Sequence, residues 1–147
     1  MIIVVTLLSL MVGISFPAIS SGIETLRLNS AADDVVGMLT AAVNRADRRQ
    51  HPIEVTVSRE PSFVMLRSPE PGFERVIRFP ETISIVAVLP VMPYDDPRGK
   101  RFLVHPGGAP PRIGIVLANR KGDRRLVTLD PITGVADVRK ATAQDTQ

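Results

Sequence analysis

The sequence predicts an α+β protein: one long N-terminal helix followed by about eight short antiparallel strands. Three observations predict it. Residues 1–19, MIIVVTLLSLMVGISFPAI, carry no charge, and the first charged residue is Glu24. The apolar period then changes at Pro52, from the 3.6 of a helix to the 2 of a strand. Twelve of the thirteen prolines and seven of the ten glycines follow residue 51, which punctuates that half into turns.

The helix comes first. Nineteen apolar residues rise about 28 Å, close to the ~30 Å hydrocarbon core of a bilayer, so residues 1–22 read as a single-pass membrane-spanning segment. A cleaved signal fits less well, since no Lys or Arg precedes Arg27 and the apolar run is long. A buried core helix fits less well too, because the remaining chain could hardly cover it. Pro17 removes one helical hydrogen bond, so a kink is expected there and not a stop. Beyond it, Leu28, Ala31, Ala32, Val35, Leu39, Ala42, Val43 and Ala46 fall on one helix face. Arg45, Arg48 and Arg49 sit in the last turns, where cations suit the helix dipole, and Pro52 ends the element, giving a helix from about Ile2 to about Arg49. Its apolar half calls for lipid or other helices. Its amphipathic half calls for an antiparallel sheet to lie across.

The strands follow. Ile53, Val55 and Val57 alternate with polar residues, and Glu60-Pro61 turns the chain into Ser62–Arg67. Pro69-Glu70-Pro71-Gly72 is a turn. Arg75–Phe79 carries two arginines and reads as an edge. Thr82–Leu89 is the most apolar strand and reads as central. After the proline-rich loop 90–100 come Arg101–His105, Arg112–Ala118, Arg125–Leu129 and Val135–Val138. The domain thus covers residues 23–140, with 141–147 a polar tail.

Chemistry is thinly represented. There is no cysteine, hence no disulfide, thiolate site or Cys nucleophile. His51 and His105 are far apart and each precedes a proline. Asp95 and Asp96 are too few for a calcium loop. No nucleophile elbow, phosphate loop or metal-ligand spacing occurs. Neither a cofactor nor an enzymatic activity is therefore expected. Arg120, Lys121, Arg124 and Arg125 crowd one hairpin tip and could contact phosphates, although a solvated turn explains them equally. With no Trp and one Tyr, the chain lacks aromatics for base stacking, and nucleic acid is an unlikely partner.

The apolar run 1–19, with its proline at Pro17, resembles the N-terminal helix of the type IV pilin and pseudopilin superfamily. Arg45–Val55 (RADRRQHPIEV) resembles the helix end and first strand of the H-type (GspH-like) minor pseudopilins. The segments PGG, IVLAN and DPITGVADV, between Phe102 and Val138, resemble the C-terminal half of the same domain. The resemblance implies a pilin-like minor pseudopilin of the type II secretion system. Such a protein would be held in the inner membrane by its helix, with its domain in the periplasm. It would join a pseudopilus near its tip, with other pseudopilins and the inner-membrane secretion platform as partners. The leader glycine and the Phe-Thr-Leu-Ile-Glu segment of the family do not stand before Met1. The true start is therefore expected upstream, with prepilin peptidase processing and methylation there. The alternative is a minor type IV pilin of the FimT kind, serving pilus assembly or DNA uptake, with Arg120, Lys121, Arg124 and Arg125 as the phosphate contacts.

Overall fold

A computed structural model describes residues 2–94, 96, 98–142 and 145, with residues 13–21 described by their backbone alone. One helix, α1 (Ile2–Arg49), precedes eight strands. These are β1 (Ile53–Ser58), β2 (Phe63–Arg67), β3 (Glu74–Arg78), β4 (Ile83–Leu89), β5 (Gly99–Val104), β6 (Ile113–Asn119), β7 (Arg124–Leu129) and β8 (Ala136–Lys140). The helix ends where Gln50 takes a left-handed φ of 55° and its side-chain amide donates to the Asp47 carbonyl at 2.6 Å. Pro17, the expected kink, lies outside the residues whose side chains are described.

The expected single sheet is instead two. One has the order β3-β2-β1-β5 and the other β4-β6-β7-β8, and every pairing is antiparallel. The sequential hairpins β1–β2, β2–β3, β6–β7 and β7–β8 use adjacent chain. The two long connections divide the strands: β5 skips back to β1, and β6 reaches over β5 to β4. Leu28, Ala32, Val35, Leu39, Ala42 and Ala46 of α1 pack into a core fed by both sheets. Ile53, Val55, Val57, Val64 and Leu66 come from the first sheet, and Ile113, Ile115, Leu117, Val127 and Leu129 from the second. The helix is thus a shared beam across two sheets.

Thr82–Leu89 does not lie at the centre of a sheet. As β4 it forms an edge, and the strand buried at all seven positions is β6. A bulge explains why β4 is apolar on both sides. Ile85 pairs with Leu117 but Ala87 with Val116, so Val86 is an extra residue. An extra residue reverses the inside–outside alternation. Ile83, Ile85 and Val88 therefore enter the main core, while Ala87 joins Val116 and Leu126 in a small second cluster on the outer face. The first sheet has its own tight point. A Cβ on Gly99 would lie 2.7 Å from the Val57 carbonyl oxygen, because β5 is drawn onto β1 by the Arg59 amide, which donates to the Arg98 carbonyl at 2.8 Å.

The membrane-spanning expectation needs correction as well. Among the described residues no helix is long and apolar enough to cross a membrane. Where side chains are described again, from Gly22, Glu24 and Arg27 follow within one and a half turns. The single-pass inner-membrane assignment, its periplasmic orientation and the pilin-like architecture built on them are not carried forward.

Candidate functional site

Two features stand apart from the domain core: an exposed helical arm and the basic hairpin at its base. In the arm, the apolar side chains of residues 2–12 face solvent on every side, from 57% exposed at Val4 to 84% at Ile2. Its polar content is small. The Thr6 hydroxyl donates to the Ile2 carbonyl at 2.7 Å, leaving Ser9 as the other hydroxyl. Toward the domain Ile23 and Leu26 remain exposed, and among the helix residues whose side chains are described Leu28 is the first fully removed from solvent. Monomeric proteins seldom expose an apolar surface of this extent, and where one occurs it marks a contact with something else.

The base of the arm is gripped by the β6–β7 hairpin. Its turn is built by Asn119, whose Oδ1 accepts from the amides of Lys121 (3.0 Å) and Asp123 (2.9 Å), while its Nδ2 donates to Asp123 Oδ2 at 3.0 Å. These bonds explain how a buried asparagine is tolerated. From this turn three side chains reach α1. Arg125 Nε donates to Asn29 Oδ1 at 2.8 Å, Thr25 donates to Asp123 at 3.3 Å, and Lys121 Nζ stands 4.0 Å from Glu24.

The sequence groups Arg120, Lys121, Arg124 and Arg125, and the structure does place them on one hairpin. It turns them to different neighbours, however. Lys121 and Arg125 serve the helix, and Arg120 lies 3.8 Å from Glu81. Arg124 is exposed and, with Arg125 and Lys140, lines an open cleft of about 690 Å³ that also takes in Asp123. At the rim of this cleft is a tail clip. The Thr142 amide and hydroxyl both donate to Asp145 at 2.7 Å, and Arg139 forms a fork to the same carboxylate at 2.7 and 3.2 Å. Those bonds, the Thr142 amide foremost, lower the Asp145 pKa from 3.8 to about 2.

The far end of the helix is held by residues that sequence reasoning did not single out. The Arg45 guanidinium lies 3.5 Å from the Phe73 ring centroid and 3.1 Å from Glu70. Asp47 Oδ1 accepts from the Gly107 amide at 2.9 Å. Arg45 therefore staples the β2–β3 loop to the helix end, while Asp47 does the same for the loop after β5. Only the placement of Arg45 near a helix C-terminus was legible, because its partners are contributed by later strands. His51 and His105 are exposed, and Asp95 lies outside the described residues. Among the described residues no group of three or more metal-ligating side chains gathers.

No family model matches this chain, and neither a curated protein nor a solved structure does.

Proposed function

We propose that the chain is an assembly subunit of the minor pseudopilin kind, acting in a type II secretion system that exports proteins. Its helical arm packs against the arms of neighbouring subunits in a fibre. The observation that carries this reading is the all-round exposure of residues 2–12 on a helix that is locked to both sheets from Leu28 onward. An exposed apolar arm gains by lying among equivalent arms, where side chains exchange water for one another. Ser9 and Thr6 are small enough to let helices approach closely, and the Thr6 hydroxyl is already satisfied within its own helix.

The hairpin cations fit this reading as the clamp that fixes where the arm leaves the domain. A DNA-uptake role would need the same side chains for phosphate, and Arg125 and Lys121 already face Asn29 and Glu24. The test uses the full chain, purified in mild detergent and examined by sedimentation velocity as detergent is removed. Wild type should form discrete oligomers or fibres, and a Val5→Lys/Leu8→Lys variant should stay monomeric with an unchanged circular-dichroism melt. A wild type that stays monomeric under the same conditions overturns the proposal. In cells, the same arm variant should fail to restore export to a strain lacking the gene.

A further inference from the structure

Where the paired strands β7 and β8 reach the base of the arm, they carry a charge arrangement that works against the fold. The register sets Arg125 directly opposite Lys140, as it sets Val127 opposite Val138 and Leu129 opposite Ala136. All six side chains therefore share the sheet face that meets α1. The four apolar ones belong to the main core, and the two cations continue the same rows past the point where that core ends. The Ala141 amide donates to the Arg124 carbonyl at 3.3 Å, so the pairing is held together beyond them. Like charges directly opposite on an antiparallel pair destabilise it. Among the described residues no acid forms an ion pair with either cation. Arg125 Nε donates to the neutral Asn29 side chain at 2.8 Å, and Lys140 is exposed.

Arg124 adds a third cation to the cleft of about 690 Å³ that these two side chains line. The one acid in its lining is Asp123, and Asp123 Oδ2 already accepts from Asn119 Nδ2 at 3.0 Å and from the Thr25 hydroxyl at 3.3 Å. Cations so placed are suited to an oxyanion. Three observations favour a carboxylate over a phosphate chain. At the rim, Arg139 and the Thr142 amide already hold a carboxylate, that of Asp145, each at 2.7 Å. A phosphodiester backbone would have to pass the Asp123 charge. No aromatic side chain lines the cleft to stack a base.

The position of the cleft points to the source of that carboxylate. Thr25 places it against α1 just where the helix enters the domain. Helices packed side by side lie about 8–10 Å apart, so a subunit whose arm runs along this one carries its own helix past the cleft, within reach of long cationic side chains. A second copy in register has little to offer there. The one acid of α1 between Gly22 and Ser30 is Glu24, which already stands 4.0 Å from Lys121.

We infer that the cleft formed by Arg124, Arg125 and Lys140 at the base of the arm receives an acidic side chain from a neighbouring subunit of different sequence. The inference rests on the proposed assembly role. The arms supply affinity, and the cleft selects which subunit lies alongside, because a neighbour without the acid leaves Arg125 and Lys140 opposed.

The test titrates the full chain, in mild detergent at low ionic strength, with a hexaglutamate peptide. Inorganic phosphate and a DNA duplex are titrated separately. Hexaglutamate should bind and move the amide chemical shifts of Gly122 and Thr142. Lys140→Ala should weaken it about tenfold, the loss expected for one charged hydrogen bond. Arg101→Ala, which removes the same charge from an exposed position on β5, should not. Lys140→Ala should also leave the urea midpoint unchanged or higher, since it ends the opposition to Arg125, whereas a lysine that only supports the fold would lower it. No hexaglutamate binding, tighter binding of phosphate or duplex, or a lower midpoint in Lys140→Ala overturns the inference. Sedimentation of the same samples keeps the two readings apart. Oligomers without hexaglutamate binding refute the cleft alone, and monomers that bind it refute the assembly role and with it a subunit as the source. Oligomers lost in Lys140→Ala make a second copy the source and overturn the inference of a different subunit.

Discussion

One substitution made twice on the same helix separates the arm from the domain. Leu39 is fully buried where both sheets meet α1, and Leu8 is 58% exposed on the arm. Leu39→Ala should cost about 3 kcal/mol, since truncating a buried leucine removes its transfer energy and leaves a cavity, with typical losses of ~2–5 kcal/mol. Leu8→Ala should leave the unassembled domain's stability unchanged, because Leu and Ala are both strong helix formers and no domain contact is lost. Its cost should fall on assembly instead. Leucine to alanine removes three carbons at ~0.8 kcal/mol each, and the 58% of the side chain still available for burial scales this to about 1.4 kcal/mol, a tenfold loss in association. Urea denaturation in mild detergent measures the first effect, with an unchanged m-value as the control on two-state behaviour. Sedimentation equilibrium measures the second. The reasoning is refuted if Leu8→Ala lowers the urea midpoint as much as Leu39→Ala does, for the arm would then be part of the domain's own core.

Other outcomes follow from the same contacts. Gly99→Ala should destabilise the domain by about 1–3 kcal/mol by pushing β5 off the Val57 carbonyl, read as a lower urea midpoint. Arg45→Ala should cost about 1–2 kcal/mol, and Arg45→Lys should recover part of it, since an ammonium keeps the charge toward Glu70 but not the stacking on Phe73. The Asp145 clip should be fully formed above pH 3.8 and released as pH falls through about 2, because a carboxylate held below its ordinary pKa stabilises only while ionised. The Thr142 amide chemical shift reports this, and Asp145→Asn should show the released value at neutral pH. The full chain in mild detergent should give no salt-dependent retardation of duplex DNA in a gel shift. A shift abolished by Arg120→Ala/Arg124→Ala would instead favour the DNA-uptake reading.

What the sequence makes legible is local. The helix face from Leu28 to Ala46 and the alternation in Ile53–Val57 can be read without a structure because each pattern reports which side of one element is buried. Pairing over long distances leaves no such mark. Nothing in Gly99–Val104 says that its neighbour is β1, and this one pairing divides eight strands into two sheets. The apolar run in β4 suggests a central strand because an alternation broken by a bulge looks like continuous burial. The four hairpin cations are visible as a cluster, but Glu24 and Asn29, which orient two of them, lie about a hundred residues earlier in the chain. The apolar arm presents the opposite difficulty. Its composition reports only that it avoids water, and a lipid bilayer and a bundle of like helices satisfy that demand equally.

The position of α1 across both sheets has a mechanical consequence. A load applied to the arm runs along the helix axis, parallel to the buried face that extends from Leu28 to Ala46. That face is placed in shear, so its side chains must slip past both sheets together and cannot be peeled away one at a time. The hairpin at Glu24–Asn29 and the Arg45–Phe73 staple clamp the two ends of the sheared segment. A domain tethered in this way behaves as a rigid weight on a stiff shaft, and pulling on the shaft moves the whole domain before it unravels any strand.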